Sequence, residues 1–333
     1  MRSPVRSPAC CDLERTASVV SASLLSLDAH LADPRVREVL VNAGRDVWVE
    51  ADAGLERVGT LPEGEVERII ERIVLPLARR VDRATPIVDA RLPDGSRVCI
   101  VVPPVAVDGP AIAIRRFAVR DVPLEFFGPA SLVELLREIV TSRCNVVVSG
   151  GASSGKTTLL NAMCRHVGHS DRIVTIEDVA ELRLTSPHVL RLEAIPASPE
   201  GRSAIGADEL VRGALRLRPD RFVVGEVRGA EVLDMLAAMN TGHHGSLTTC
   251  HANSPHDALR RLEALSLAAA PQWPLESLRD HLVAAIDVVV HVERTPAGRR
   301  HVTEVIELPL HGDGRPRQLW SPGSHDELQR QRC

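Results

Sequence analysis

Two different rhythms of apolar residues run along this chain. Up to about residue 117, helical stripes are interspersed with short alternating strands. In "GEVERIIERIVLPLARRVD" (64–82), Ile69, Ile70, Ile73, Val74 and Leu77 recur on one stripe of a helix, and "SASLLSLDAHLAD" (21–33) has the same period. "VREVLVNAGRDVWVEA" (36–51) reads as two strands around an Asn42-Ala43-Gly44 turn. "DARLPDGSRVCIVVPP" (89–104) is a second pair, turning at Pro93-Asp94-Gly95, and "AIAIRRF" (111–117) is a further strand. This pattern predicts a small α+β domain over 17–117, preceded by a flexible polar tail at 1–16. "AVRDVPLEFFGPAS", with Pro123 and Pro129, reads as a linker over 118–130.

From Ser131 onward helices and short apolar strands take turns. Strands are expected at 145–149, 172–177, 221–225, 245–250, 287–292 and 302–307. Helices fit at 131–142, 156–166, 208–217, 230–240, 255–267 and 275–286. Such alternation predicts a mostly parallel sheet with helices on both faces, an α/β domain over 131–310. The last stretch, 311–333, is polar and is expected to be a frayed tail.

Composition narrows the function. The net charge of −4 supplies no basic field to recruit DNA or anionic lipid. Aromatics make up 2% with no Tyr, which removes stacking platforms for single-stranded nucleic acid, so no stable nucleic-acid binding is expected. No apolar run approaches a membrane span, and the opening "MRSPVRSPACCDLERT" lacks the apolar core of a secretory signal. The chain is expected in the cytosol, where its seven Cys, with no C-x-x-C among them, stay reduced.

Of the 40 Lys and Arg side chains, one is lysine: Lys156, inside "VVVSGGASSGKTTLL". Gly150, Gly151, Ala152, Ser153, Ser154, Gly155, Lys156 and Thr157 match G-x-x-x-x-G-K-[ST], after an apolar strand and before a helix. Glycines let backbone N–H groups turn inward to cradle phosphate, and the helix N-terminus carrying Lys156, Thr157 and Thr158 adds partial positive charge. Lys156 reaches the β- and γ-phosphates and the Thr157 hydroxyl holds Mg2+. A compact ammonium on a thin stem fits a closed loop that a wide planar guanidinium does not.

Carboxylates follow two later strands. "RIVTIEDVAEL" puts Glu177, Asp178 and Glu181 after one, and "RPDRFVVGEVRGAE" puts Glu226 after another. In a doubly wound sheet the ligand lies off the carboxyl ends of the strands, so these groups converge on the γ-phosphate. One orients or deprotonates the attacking water and another organises Mg2+; the pattern leaves open which of Glu177 and Glu226 activates water, and Asp178 is the metal candidate. Polar residues also follow strands simply because loops are polar. His243, His244 and His251 surround the strand of "TGHHGSLTTCHANS" without the Cys or carboxylate spacing of a zinc site.

Together these stretches resemble the secretion-ATPase superfamily, the ring motors of type II and type IV secretion and of type IV pili. "SGGASSGKTT" resembles its Walker A, "IVTIEDVAEL" its Asp box, "RPDRFVVGEVRG" its Walker B and "TGHHGSLTTCHANS" its His box. "DARLPDGSRV" and "AIAIRRF" resemble N-terminal-domain segments that pack against nucleotide. Within the superfamily the likeness is greatest to tight-adherence (Flp) pilus ATPases, a branch near the conjugation-type ATPases. The resemblance implies a RecA-like P-loop domain, Mg-dependent ATP hydrolysis and a homohexameric ring. It further implies polytopic inner-membrane platform proteins as partners and a place at the inner face of the cytoplasmic membrane. It makes His251 and His243 site residues and gives Arg97 and Arg115 a role closing onto the phosphates, with Arg91 and Arg228 behind them. The alternatives are a conjugation-type substrate gate, a DNA-acting RecA-like ATPase and a non-hydrolysing nucleotide-binding scaffold.

Overall fold

The computed structural model describes residues 23–51, 54–77, 79–116, 122–195, 204–308 and 316–328. Chain contacts divide the protein into two units, Met1–Ala118 and Val119–Cys333.

In the first unit, a 3₁₀ turn (Leu25–Leu27) and one helical turn, α1 (Asp28–Ala32), stand where the sequence pattern runs to residue 33. Pro34 stops it, because the residue before a proline is pushed out of helical geometry. β1 (Glu38–Asn42) and β2 (Asp46–Ala51) form a hairpin turned by Ala43 and Gly44, whose φ values are 50° and 69°. β3 (Gly54–Thr60) then adds an edge strand that the pattern does not reveal: its side chains are almost all exposed, so no apolar alternation marks it. α2 (Glu65–Val74) buries the isoleucine stripe but ends eight residues before the predicted limit of 82, two residues ahead of Pro76. β4 (Ile87–Arg91), β5 (Arg97–Val101) and β6 (Ala111–Arg115) complete an antiparallel sheet of order β3-β2-β1-β6-β5-β4. One face, with Val39, Val98, Ile100 and Ile114, packs on Ile69 and Ile73 of α2. Successive strand residues alternate faces, so Arg97 and Arg115 lie on the other.

The second unit runs α3 (Ala130–Thr141), β7 (Val146–Gly150), α4 (Lys156–Cys164), β8 (Ile173–Glu177), β9 (Val189–Glu193) and α5 (Ala207–Ala214). It continues through β10 (Arg221–Val224), α6 (Glu231–Asn240), β11 (Leu247–His251), α7 (Pro255–Ala269) and α8 (Leu275–Ala285). β12 (Val288–Arg294), β13 (Arg300–Glu307), β14 (Arg317–Ser321) and β15 (Ser324–His325) close it. The sheet order is β15-β14-β13-β12-β7-β11-β10-β8-β9. The six strands β9, β8, β10, β11, β7 and β12 are mutually parallel, whereas β13, β14 and β15 pair antiparallel. α3 and α4 cover one face and α5 to α8 the other, so β7 is buried along its whole length and reads as an unbroken apolar run. Among the described residues no helix is long and apolar enough to cross a membrane.

Three segments depart from the sequence reading. Within the expected linker, Val122, Leu124 and Phe127 are buried in the core of the second unit. β9 was not anticipated, because "HVLRLE" is too short and too mixed to announce a strand without its parallel neighbour β8. The polar tail expected from residue 311 instead carries β14 and β15, with Leu319, Trp320 and Leu328 buried. Isolated apolar residues among Arg, Gln and Ser give no periodicity, yet backbone pairing to β13 places them in the core.

Candidate functional site

β7 delivers Gly150 to the carboxyl edge of the sheet between β11 and β12, in register with His251. A Cβ at Gly150 would sit 2.4 Å from both Ser154 Oγ and the Val292 carbonyl oxygen, so only glycine fits. Ser153 and Gly155 take left-handed φ values of 56° and 103°, which coil residues 151–155 into a loop that opens onto α4 at Lys156. Inside it Lys156 Nζ donates to the carbonyls of Gly150 (3.1 Å) and Gly151 (2.8 Å). Burial lowers the Lys156 pKa, and the Glu226 carboxylate opposes that shift. Ser154 Oγ is buried with no hydrogen-bond partner. A glycine cradle, an ammonium and an unmet hydroxyl are the donor set that phosphate oxygens satisfy. Thr157 and Thr158 occupy the first turn of α4, at the positive end of the helix.

Two glutamates come to the same edge. Glu177 ends β8, almost fully buried, and its Oε1 accepts the N–H groups of Glu181 (2.8 Å) and Leu182 (2.9 Å). Its Oε2 is buried without a partner, and burial pushes its pKa up to about 7 against those two donors. Gly225 allows this packing, since a Cβ there would meet Glu177 Cγ at 2.8 Å. Glu226 follows β10 and accepts from Arg228 Nη2 at 2.6 Å, while Arg228 Nη1 lies 3.6 Å from Asp178. These contacts hold the Arg228 pKa above its ordinary value. The backbone on either side of Glu226 is pinned to β11, with Thr249 Oγ1 donating to the Gly225 carbonyl (2.7 Å) and the Val227 N–H to the Thr249 carbonyl (3.0 Å). His251 closes β11; burial and Lys156 lower its pKa while Glu226 raises it.

The raised pKa of Glu177 has a consequence for stability. Below its unfolded value the protonated acid is neutral in both states, so the stabilisation is fully present. It is lost progressively as pH rises from 4.5, where the unfolded group ionises, and the loss is complete once pH has passed through about 7, where the buried group ionises too. A rise from 4.5 to about 7 is worth about 3 kcal/mol at 1.36 kcal/mol per unit. Thermal unfolding of wild type is expected to show this loss between about pH 4.5 and 7. Glu177→Gln, which keeps the acceptor for Glu181 and Leu182, is expected to show a flatter profile; parallel profiles would place the ionisation elsewhere.

His243 does not join the site. It precedes β11, so it stands at the amino edge of the sheet, beyond about 13 Å of strand from His251. There it sits edge-on to Phe222 with ring centroids 5.0 Å apart, its Nδ1 3.1 Å from the Ala238 carbonyl oxygen. One motif spans both ends of a strand, and only its second histidine reaches the carboxyl edge. Arg97 and Arg115 belong to the first unit, where they are direct cross-strand neighbours. With Arg91 opposite Arg97 and Glu38 opposite Arg115, three guanidinium groups share one row on one face.

Two residues at the site escape sequence reading. The Arg300 side chain crosses the loop, its Cδ 2.7 Å from where a Gly155 Cβ would be. His291, buried on β12, meets Ser149 Oγ through Nδ1 at 2.8 Å immediately behind Gly150. Neither carries a motif; strand register alone brings them there.

Known proteins are similar to this chain. The family described as "Type II/IV secretion system protein" matches residues 24–318. A Mycobacterium tuberculosis H37Rv protein, Rv3659c, whose name assigns it provisionally to conjugal transfer, is 40% identical over 308 residues, covering 89% of this chain and 85% of its own. The conjugal transfer protein TrbB of Rhizobium radiobacter is 35% identical over 288 residues, covering 84% and 85%. The type IV secretion system protein PtlH of Bordetella pertussis is 34% identical over 327 residues, covering 88% and 96%. Among solved structures, the pilus retraction motor PilT with bound ADP shares the fold with a TM-score of 0.62 at 19% identity, over 83% of this chain and 80% of that one.

Proposed function

Since this chain belongs to the type II/IV secretion ATPase family and is an ATP-hydrolysing enzyme of it, we propose that it is the motor of a conjugation-type IV secretion system. One observation supports this reading above others: Lys156, Glu226 and His251 meet at the carboxyl ends of β7, β10 and β11, around a loop shaped for phosphate. The named relatives favour conjugation and type IV secretion over the tight-adherence pilus suggested by the motifs.

In this reading Lys156 and the loop N–H groups hold the β- and γ-phosphates of ATP. Glu226 orients the attacking water and takes its proton, with Arg228 fixing the carboxylate's direction. Glu177 braces the 177–182 turn through Oε1 and keeps a buried, unmet Oε2 at the same edge. Thr157 and Asp178 would hold Mg2+, whose contribution when bound is neutralisation of phosphate charge. His251 senses the γ-phosphate.

The active form is a homohexameric ring working with membrane-embedded components of the system. Light scattering of the purified protein with Mg-ATPγS is expected to give six times the 36.1 kDa chain mass. A strain carrying Lys156→Ala on its chromosome is expected to lose DNA or protein transfer. Lost surface pili with intact transfer would return the tight-adherence reading, and a DNA-stimulated ATPase rate would favour a DNA-acting enzyme.

A further inference from the structure

We propose that His291, which lies in none of the motifs, is a positioning residue for ATP: through the Ser149 hydroxyl it fixes the end of β7 and with it the root of the phosphate loop. The role rests on the proposed phosphate site at 150–157 and adds to it a support from a strand remote in the chain.

Strand register builds the support. Cys250, Ser149, His291 and Glu304 stand side by side on β11, β7, β12 and β13, in the row immediately before Gly150. The pairing slips between His291 and Val292, where β13 carries one extra residue. A bulge of this kind bends the strand and re-aims its side chains. On one side of the slip, His291 Nδ1 meets Ser149 Oγ at 2.8 Å. On the other, the Val292 carbonyl oxygen lies 2.4 Å from where a Gly150 Cβ would be. Two consecutive residues of β12 thus brace two consecutive residues of β7 at the base of the loop.

The residue types set this row apart. Two residues earlier, the same face of the two strands carries Val147 and Val289, an apolar pair. Serine and histidine, buried in their turn, cost free energy unless they bond to each other, as they do here. Such a bond specifies one geometry, which two valines in contact do not. The charged groups acting on the ring are carboxylates: Glu293 on its own strand, Glu304 opposite it on β13 and Asp257 in the first turn of α7. Burial lowers the His291 pKa from 6.5 against their pull, so the ring is neutral at neutral pH. Its one proton belongs on Nε2, 3.5 Å from Glu293 Oε1, which leaves Nδ1 to accept from the Ser149 hydroxyl. The only other acceptor printed for that hydroxyl, the Val290 carbonyl, is 3.5 Å away, so the histidine is its short partner.

The loop grips phosphate both before and during hydrolysis, so losing its support raises KM and leaves kcat nearly unchanged. His291→Leu and Ser149→Ala are each expected to raise KM for ATP about three- to tenfold, the worth of one hydrogen bond. His291→Asn, whose Oδ1 can stand where Nδ1 stood, is expected to restore the wild-type KM. The double variant Ser149→Ala/His291→Leu is expected to match the worse single variant, because both remove one bond. Thermal unfolding is measured throughout; a merely structural pair would lower the unfolding temperature without moving KM. If His291→Leu does not fold, Ser149→Ala and His291→Asn decide, the first with a raised KM and the second with that of wild type. An unchanged KM in folded Ser149→Ala, or a double-variant KM equal to the product of the two single factors, overturns the role. Wild-type KM in these variants beside an inactive Lys156→Ala protein strikes the role alone, whereas full turnover by Lys156→Ala overturns the phosphate site and this role with it.

Discussion

Replacing Lys156 with alanine is expected to lower kcat/KM for ATP by about a thousandfold or more and to abolish nucleotide retention. The substitution removes a charge held in a half-buried loop, and truncating one partner of such a desolvated charge pair costs roughly 2–5 kcal/mol, or factors of about 30 to several thousand. The fold should survive it. Without nucleotide the ammonium is weakened by burial and bonded only to two loop carbonyls, so its loss leaves no opposite charge stranded in the core. Lys156→Arg is expected to restore little, because a planar guanidinium is broader than the loop entrance that accommodates one thin stem. Phosphate release, calorimetric ATP binding and thermal unfolding together check the result. Undiminished turnover in a folded alanine variant would remove the site from this loop.

Glu226→Gln should behave differently at the same site. Its carboxylate lies in the field of Lys156 and His251, where it can take a proton from water as the γ-phosphate leaves, but it forms no part of the cradle. General-base loss typically costs about 10²–10⁴ in rate, so kcat is expected to fall by that factor while ATP binding persists. Because hydrolysis stalls, retained nucleotide should be ATP rather than ADP, and the Arg228 contact drops from an ion pair to a neutral hydrogen bond. Chromatographic analysis of bound nucleotide after incubation separates the two variants: ATP retained by Glu226→Gln, none by Lys156→Ala. A Glu226→Gln enzyme with full kcat would transfer the base role to Glu177, whose Oε2 is buried without a partner.

Much of this site is legible in the sequence because its chemistry is contiguous. The phosphate loop occupies eight consecutive residues, Gly150 is demanded by local clashes and Gly155 by positive φ, and the flanking strand and helix are set by short-range periodicity. The acids after β8 and β10 were legible for a related reason: parallel strands in an α/β sheet all present their carboxyl ends to one edge. The helix stops at Pro34 and Pro76 were equally local, although the apolar stripe running past them concealed both.

The rest was settled by pairing between segments remote in the chain. His243 and His251 lie eight residues apart in one motif, yet β11 carries them to opposite edges of the sheet, and only strand polarity says which one reaches the carboxyl edge beside Gly150. Arg300 and His291 reach the loop because β12 pairs with β7 across some 140 residues of chain. A polar-looking C-terminus became two strands because β13 offered an unpaired edge, and its scattered apolar residues then filled the space beside α3. Sequence by itself determined the reaction chemistry, which depends on side-chain type and local backbone shape. Tertiary structure decided which groups share that chemistry, because hydrogen-bonded register between distant strands has no counterpart in the spacing of residues along the chain.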